Sequence, residues 1–297
     1  EVAIYQALRF DFELDTAAQL ALWHLLLCGA ALALHHQLAA PAPGQQHRSS
    51  RASRPDTRHW LGLAVDCFWL SLALLLFIPP LLAIVTAGLK PQLWQALTSH
   101  QLWASLLTSL QIGLGASLLA CALSLGLLFS SRHLRQRLGR PHAATLLESS
   151  GSLILLIPTA VLSTGLFILL LPVADVFGLG FWLVMLLNGL ACLPYTVRTL
   201  QPALQQAVLR YDRLAMSLGL HGWSRWRYLE WPLLRAALGR DMALAAIFSL
   251  GDLGAVAMFG SDELQTLPWL LFQQLGSYRL DDAAATALLL LLLCTGL

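Results

Sequence analysis

The sequence predicts an all-α fold, a polytopic bundle of transmembrane helices. Of its 297 residues, 57% are hydrophobic and only 11% are charged, and the mean hydropathy is +0.67. Soluble domains carry about a quarter charged residues, so this composition indicates lipid as the solvent. The apolar residues form continuous rather than alternating runs. Because backbone polar groups must be paired in hydrocarbon, such runs predict helices and not a barrel.

Several apolar runs are candidates for crossing a bilayer, whose core of about 30 Å needs roughly 20 apolar helical residues. They lie near residues 17–34, 61–87, 103–129, 150–173, 177–197, 241–260 and 283–297. The last run stops at Leu297, and the chain opens on Glu1 without a signal peptide. We therefore expect the sequence to be a piece of a longer one.

Basic residues are concentrated in alternate connections between these runs. They cluster between the first and second runs, after the third, and between the fifth and sixth, and the exceptions are Arg9, Lys90 and Arg279. The positive-inside rule places the basic connections in the cytoplasm. This predicts a multi-pass protein of a bacterial inner membrane. The net charge of +2 is explained by topology, so no nucleic-acid partner is expected.

An internal similarity indicates how the chain is organised. Residues 14–28 read LDTAAQLALWHLLLC and residues 280–294 read LDDAAATALLLLLLC, which suggests two related units. A polar segment rich in Pro, Ser and Arg lies between them and cannot form a core. We predict that residues 1–38 end a first unit with its last transmembrane helix and that 39–59 form a cytoplasmic linker. Residues 60–297 would be a second unit of about six transmembrane helices, truncated at its C-terminus.

The sequence contains no motif that supports an enzymatic activity. Lys90 is the single lysine, and no G-x-x-x-x-G-K-[ST], H-E-x-x-H or G-x-S-x-G motif occurs. The five cysteines fall inside apolar runs without metal-ligand spacing. We therefore expect no catalytic residues, no cofactor and no metal site.

The longest cytoplasmic connection of the second unit, residues 200–239, is the most informative segment, and we call it the bent segment. It predicts an amphipathic helix that Gly219 ends by adopting positive φ. A second short helix is predicted from Trp223 until Pro232 breaks it. The apolar face of the first helix comprises Leu204, Ala207, Val208, Tyr211, Leu214, Ala215 and Leu218.

Two interpretations of the bent segment remain open from its residues. It could lie in the lipid headgroups as a surface helix held by tryptophans and arginines. Its order of residues, however, resembles the E-A-A-x-x-x-G loop of ABC-importer permeases, although Arg213 and Leu214 replace the usual Glu and first Ala. The residues that carry the resemblance are Asp212, Ala215, Leu218, Gly219, Trp223 and Pro232.

The resemblance implies a type I, MetI-like permease fold and a set of partners. The loop would dock on a separate homodimeric ATP-binding subunit, and a periplasmic solute-binding protein would deliver the solute. Stretches such as IPTAVLSTGLF and SLGDLGAVAMFG are most similar to the fused two-unit permeases for thiamine, and next to those for ferric iron. The implied function is passage of a small solute, thiamine or thiamine phosphates, or alternatively ferric iron.

Asp252 is the clearest charged residue within an apolar run, and it stands near Gly251 and Gly254. A carboxylate there is costly unless it faces water or a partner, and the glycines permit the helix to unwind. It is therefore either a pathway or gate residue suited to a cationic solute, or a structural group bonded between helices. As a coupling carboxylate it would also fit an ion-driven secondary transporter. Asn188 is a further pathway candidate that could equally bond across helices.

Overall fold

The computed structural model describes residues 14–38, 60–89, 92–136, 138–154, 157, 159–220, 222–260 and 264–297, and these ranges contain helices and no strand. The predicted all-α class is confirmed. The helices are α1 (Leu14–Leu38), α2 (Trp60–Gly88), α3 (Gln92–Thr98), α4 (His100–Gln136), α5 (Pro141–Leu153), α6 (Thr159–Leu170), α7 (Gly180–Ser217), α8 (Gly222–Arg225), the π turn Trp226–Glu230, α9 (Trp231–Gly251), α10 (Gly254–Phe259), α11 (Leu267–Gly276) and α12 (Leu280–Gly296).

Three helices in the described ranges are long and apolar enough to cross a membrane. They are Gly62–Gly88 in α2, His100–Arg135 in α4 and Gly180–Val208 in α7. Each overlaps a run that the sequence marked as a candidate crossing, which supports a membrane-spanning protein. By contrast, α9 carries Arg235, Arg240 and Asp241 within its 21 residues.

Two runs that were expected to be single crossings are each divided. The run 150–173 is split between α5 and α6, and Pro158, between these helices in the sequence, lies outside the described residues. The run 241–260 is interrupted at Asp252, whose backbone is extended with φ −81° and ψ 117°. Gly251 and Gly254 have low helix propensity and flank this break, which explains why α9 stops there.

The centre of the bundle is formed by α4, α7 and α9, which pack against one another. Lipid provides no hydrophobic drive between helices, so their association depends on close contact, which small side chains permit. The face of α4 that is buried in this packing is built largely from small residues, namely Ser109, Gly113, Ala116, Ser117, Ala120, Cys121 and Ser124.

Two apolar clusters occupy opposite parts of this three-helix centre. One includes Val184 and Leu187 of α7, and the other includes Val197 and Leu200 of the same helix. Between these two clusters lies the buried Asn188 of α7. Beside it, three small residues are in contact, namely Ala120 of α4, Cys192 of α7 and Ala245 of α9. The polar Asn188 is therefore enclosed by apolar layers, at the depth where α9 approaches its break.

The outer helices surround this centre unevenly. α1 contacts α6, while α2 packs on α12, which also contacts α11. Most described side chains of α2 are exposed within this chain. The contact of α2 with α12 is close near Gly88, where an added Cβ would lie 2.7 Å from Cβ of Leu288.

Replacing Gly189 tests the close approach of α7 to α4. An added Cβ there would lie 2.9 Å from Cδ2 of Leu119 and 3.2 Å from the backbone oxygen of Ala116. We expect Gly189→Val to destabilise the protein by about 1–3 kcal/mol through overpacking, measured by thermal unfolding of the purified intact protein. Gly126→Val in α4 is the control, because nothing lies within 4 Å of its added Cβ. Equal losses of stability would contradict the packing argument.

Candidate functional site

The first half of the bent segment is the C-terminal part of α7, which continues without interruption from Gly180 to Ser217. The helix then ends at a glycine turn. Gly219 has φ +65°, the Leu220 N–H donates to the Ala215 carbonyl at 2.9 Å, and the Gly219 N–H donates to the Met216 carbonyl at 3.1 Å. These bonds close the helix end in the manner that left-handed glycine permits. The predicted conformation of Gly219 is confirmed.

The second half of the bent segment differs from its prediction. Helical structure resumes at Gly222, passes through the π turn Trp226–Glu230 and continues into α9. Pro232 therefore does not break a helix but is the second residue of α9, in its first turn. The turn before it has π geometry, with the Trp231 N–H donating to the Trp226 carbonyl, and this local departure from α geometry accompanies a residue that has no N–H of its own. His221 lies outside the described residues.

The apolar face predicted for this helix is only partly buried. Ala215 is buried, as are Leu204 and Ala207, but Leu214 and Leu218 have 52% and 64% of their surface exposed. The face that periodicity predicts is therefore covered at Leu204, Ala207 and Ala215, and open at Leu214 and Leu218 within this chain. Trp223 is 73% exposed just after the turn. We call Leu214, Leu218 and Trp223 the bend surface.

Four charged side chains hold the bend to the bundle. Arg132 at the end of α4 contacts Glu230 at 2.7 Å and Asp212 at 3.3 Å. Arg225 contacts the same two acids, at 2.9 Å to Glu230 and 2.7 Å to Asp212. The side chain of Glu230 is only 7% exposed. We call Arg132, Asp212, Arg225 and Glu230 the charge cluster; its two positive and two negative groups balance while they are partly withdrawn from water.

The charge cluster changes the interpretation of Asp212. The sequence marked Asp212 as a docking residue, but the structure engages it with two arginines of its own chain. Sequence reasoning missed Arg132, Arg225 and Glu230 as its companions, because they come from α4, α8 and the π turn. The available signal was Glu230 itself, an acid between tyrosine, leucine and tryptophan residues. Such an acid needs a partner when it is buried.

A cavity of about 230 Å³ lies where α9 breaks. The Asp252 carboxylate accepts a hydrogen bond from the Gly254 N–H at 2.9 Å and one from the Thr159 hydroxyl at 3.4 Å. A Cβ on Gly254 would approach Oγ1 of Thr159 to 3.0 Å, so glycine gives these groups room. The lining residues are Ile154, Ile157, Thr159, Asn188, Ala191, Cys192, Tyr195, Phe248, Ser249 and Asp252.

Asn188 joins α7 to α9 and also borders this cavity. Its Nδ2 donates to the Ser249 hydroxyl at 2.9 Å and to the Ser249 carbonyl at 3.3 Å. Its Oδ1 is buried and accepts no hydrogen bond from the part of the chain that the structure describes. The structure thus brings the pathway candidates Asn188 and Asp252 to one cavity, with Gly254 beside them, whereas Gly251 is exposed.

A second cavity of about 360 Å³ lies between α4, α5 and α7, and the sequence did not reveal it. Glu148 of α5 borders it, accepts a hydrogen bond from Gln201 at 3.1 Å and pairs with Arg135 at 3.2 Å. The Ser131 hydroxyl also donates to this carboxylate. These bonds connect α5 to the centre. Among the described residues, no group of three or more His, Cys, Asp or Glu side chains could hold a metal ion.

Comparison with known proteins identifies the class that these helices and this bend define. Residues 125–297 match the family of binding-protein-dependent transport system inner membrane components. Because the match covers more than half of the chain, the chain belongs to that family. It is a transport permease component and not an enzyme, and the family's description is of transport systems that depend on a binding protein.

The chain is also similar to individual transport permeases. The chain is 41% identical over 295 residues to the thiamine transport system permease protein of Escherichia coli (strain K12), covering 99% of this chain and 54% of the relative. It is 36% identical over 297 residues to the protein of the same description from Brucella abortus (strain 2308), covering 100% and 54%. A putative 2-aminoethylphosphonate transport system permease protein of Salmonella typhi is 27% identical over 192 residues, covering 63% and 70%. The chain spans about half the length of the thiamine permeases it matches.

Neutralising Glu230 tests the charge cluster. Glu230→Gln leaves two largely buried arginines facing a single carboxylate, so we expect a loss of stability on the order of 3 kcal/mol. Thermal unfolding of the purified intact protein measures it. Arg279→Gln is the control, because Arg279 pairs with Asp282 but is 61% exposed, and such pairs contribute about 1 kcal/mol or less. A loss no larger than that of the control would show that the charge cluster does not hold the bend.

Proposed function

We propose that this chain is part of the permease of an ABC importer that carries thiamine or thiamine phosphates across the inner membrane, with energy from a separate ATPase. The relatives at 36–41% identity support the solute. The observation that carries the coupling role is the bend surface. Exposed leucine and tryptophan side chains next to a fixed turn are typical of docking sites, since large apolar residues anchored in place supply most binding energy.

The contacts also support a route from the bend to the cavity. The charge cluster ties the bend to α4 and to the π turn that opens α9. α9 has 21 residues, which corresponds to about 30 Å of helix, and its far end is the break at Asp252. A displacement of the bend by an ATPase would therefore move α9 as one rod. The movement would reach Asn188 and Asp252, and Gly251 and Gly254 would provide the hinge.

Within this proposal, the six residues of the loop resemblance divide into two roles. Leu218 and Trp223 present exposed apolar surface to the ATPase, which is a homodimer in this proposal. Asp212, Ala215, Gly219 and Pro232 instead shape the bend. Asp212 does so through its arginines, Ala215 through burial, Gly219 through positive φ, and Pro232 in the first turn of α9.

The orientation in the membrane follows from the same proposal. The bend and the basic connections would face the cytoplasm, and a periplasmic solute-binding protein would dock at the opposite end. Residues 1–38 would end one permease unit, 39–59 would link it, and 60–297 would form most of a second unit of about six crossings. The internal similarity supports this division, since both of its copies are helical, in α1 and α12.

Two substitutions test the docking role of the bend. Gly219→Val places a β-branched residue at φ +65°, and Trp223→Ala removes the most exposed side chain of the bend surface. We expect each to lower solute uptake and co-purification of the ATPase by about tenfold or more, with membrane insertion intact. Trp94→Ala is the matched control, because Trp94 is 74% exposed but lies on α3. Normal ATPase binding by both bend variants would refute the docking role.

The energy source and the solute are tested together in proteoliposomes that contain the intact permease, its ATPase and its binding protein. We expect radiolabelled thiamine to accumulate only with hydrolysable ATP and to be unaffected when a protonophore dissipates the proton gradient. Uptake that persists without the ATPase and stops with the protonophore would favour a secondary transporter. Uptake of ferric iron and not of thiamine would show that the transported solute is ferric iron.

A further inference from the structure

The cavity at the break of α9 combines acceptor groups with an aromatic surface. Tyr195 of α7 and Phe248 of α9 both line it. Their rings are stacked, with centroids 5.0 Å apart and an interplanar angle of 25°. Tyr195 and Phe248 are 41% and 45% exposed, so part of each ring remains open to contact. The side chains of Asn188 and Asp252 line the same cavity.

The polar groups of the cavity favour a ligand that donates hydrogen bonds. Asn188 is 1% exposed, and its Nδ2 is used by the Ser249 carbonyl and hydroxyl, so its Oδ1 is the atom left to accept. The Asp252 carboxylate already accepts from the Gly254 N–H and the Thr159 hydroxyl, and it supplies negative charge to the cavity. Among the described residues, Oδ1 of Asn188 has no such donor. A buried acceptor without a donor costs about 1–3 kcal/mol. A ligand with N–H groups or positive charge would recover that cost.

The aromatic rings favour the same kind of ligand. The face of an aromatic ring attracts a cation, and a nearby carboxylate adds to this attraction where water is scarce. Lysine and arginine are absent from the residues that line the cavity in the described part of the chain. At about 230 Å³, the cavity is smaller than pockets for drug-sized ligands, which begin near 300 Å³. It suits a single ring system.

We propose that this cavity is a transient binding site for a flat, cationic, nitrogen-containing ring of the transported solute. The ring lies against Tyr195 and Phe248, its charge faces Asp252, and an N–H group donates to Oδ1 of Asn188. This inference rests on the proposed function, because it assigns the cavity to the solute's path. It adds Tyr195 and Phe248 to that path and defines the chemical class that the path selects.

Transport kinetics provide the first test. In proteoliposomes with the intact transporter, we expect Phe248→Leu and the isosteric Asp252→Asn to lower thiamine uptake (kcat/KM) about fivefold or more. Uptake is compared at equal amounts of assembled complex, measured as the ATPase that co-purifies with each variant. Phe272→Leu is the matched control, since Phe272 stacks on Trp269 at 5.8 Å and 21° and is 46% exposed, but lies on α11. Phe248→Leu behaving like Phe272→Leu would overturn the proposal.

Thiol labelling provides a second test that needs no transport. Tyr195→Cys is introduced into the intact protein after its native cysteines are replaced. Its reaction rate is then compared for a trimethylammonium methanethiosulfonate and for the neutral methyl reagent. We expect Asp252→Asn to lower the ratio of cationic to neutral rates at least about threefold, and an unchanged ratio would overturn the cation preference. If wild-type transporter fails to take up thiamine while the ratio still falls, the proposed solute is wrong but the cation site stands.

Discussion

The charge cluster is the interaction on which the rest of the structure depends. Arg132 and Arg225 each contact both Asp212 and Glu230, so α4, α7, α8 and the π turn meet at one point. Charges that are withdrawn from water are stable only when all partners are present. The position of the bend is thus fixed by polar geometry together with the apolar packing of Trp226 against Phe129. The apolar residues of the bend surface can remain exposed because they are not needed to hold the turn in place.

A second constraint operates deeper in the bundle. α4, α7 and α9 approach one another through small residues, and this leaves little volume for large side chains at their centre. At the same depth, Asn188 bonds to Ser249 shortly before α9 ends. The cavity exists because α9 and the α5–α6 region are both interrupted there. Close packing on one side and broken helices on the other therefore position the polar groups.

The features of the fold and of the candidate site that depend on residues close together in the chain could be predicted from the sequence. The apolar runs predicted helices, Gly219 predicted a positive φ, and the glycines near Asp252 allowed the helix to unwind. The errors arise where tertiary context decides. Pro232 continues helical structure because it falls in a first turn after a π turn. Asp212 is paired with Arg132, a residue that is distant in the sequence.

The contrast between α2 and α9 has a consequence for how the protein is made. α2 is apolar along Gly62–Gly88 and could partition into lipid before any other helix is present. α9 carries Arg235, Arg240 and Asp241, and each charge costs about 2.5–3.5 kcal/mol at the centre of a membrane helix. Its insertion at the translocon therefore depends on α4 and α7 already being in place. Biogenesis of this region is consequently ordered, with α9 joining after α4 and α7.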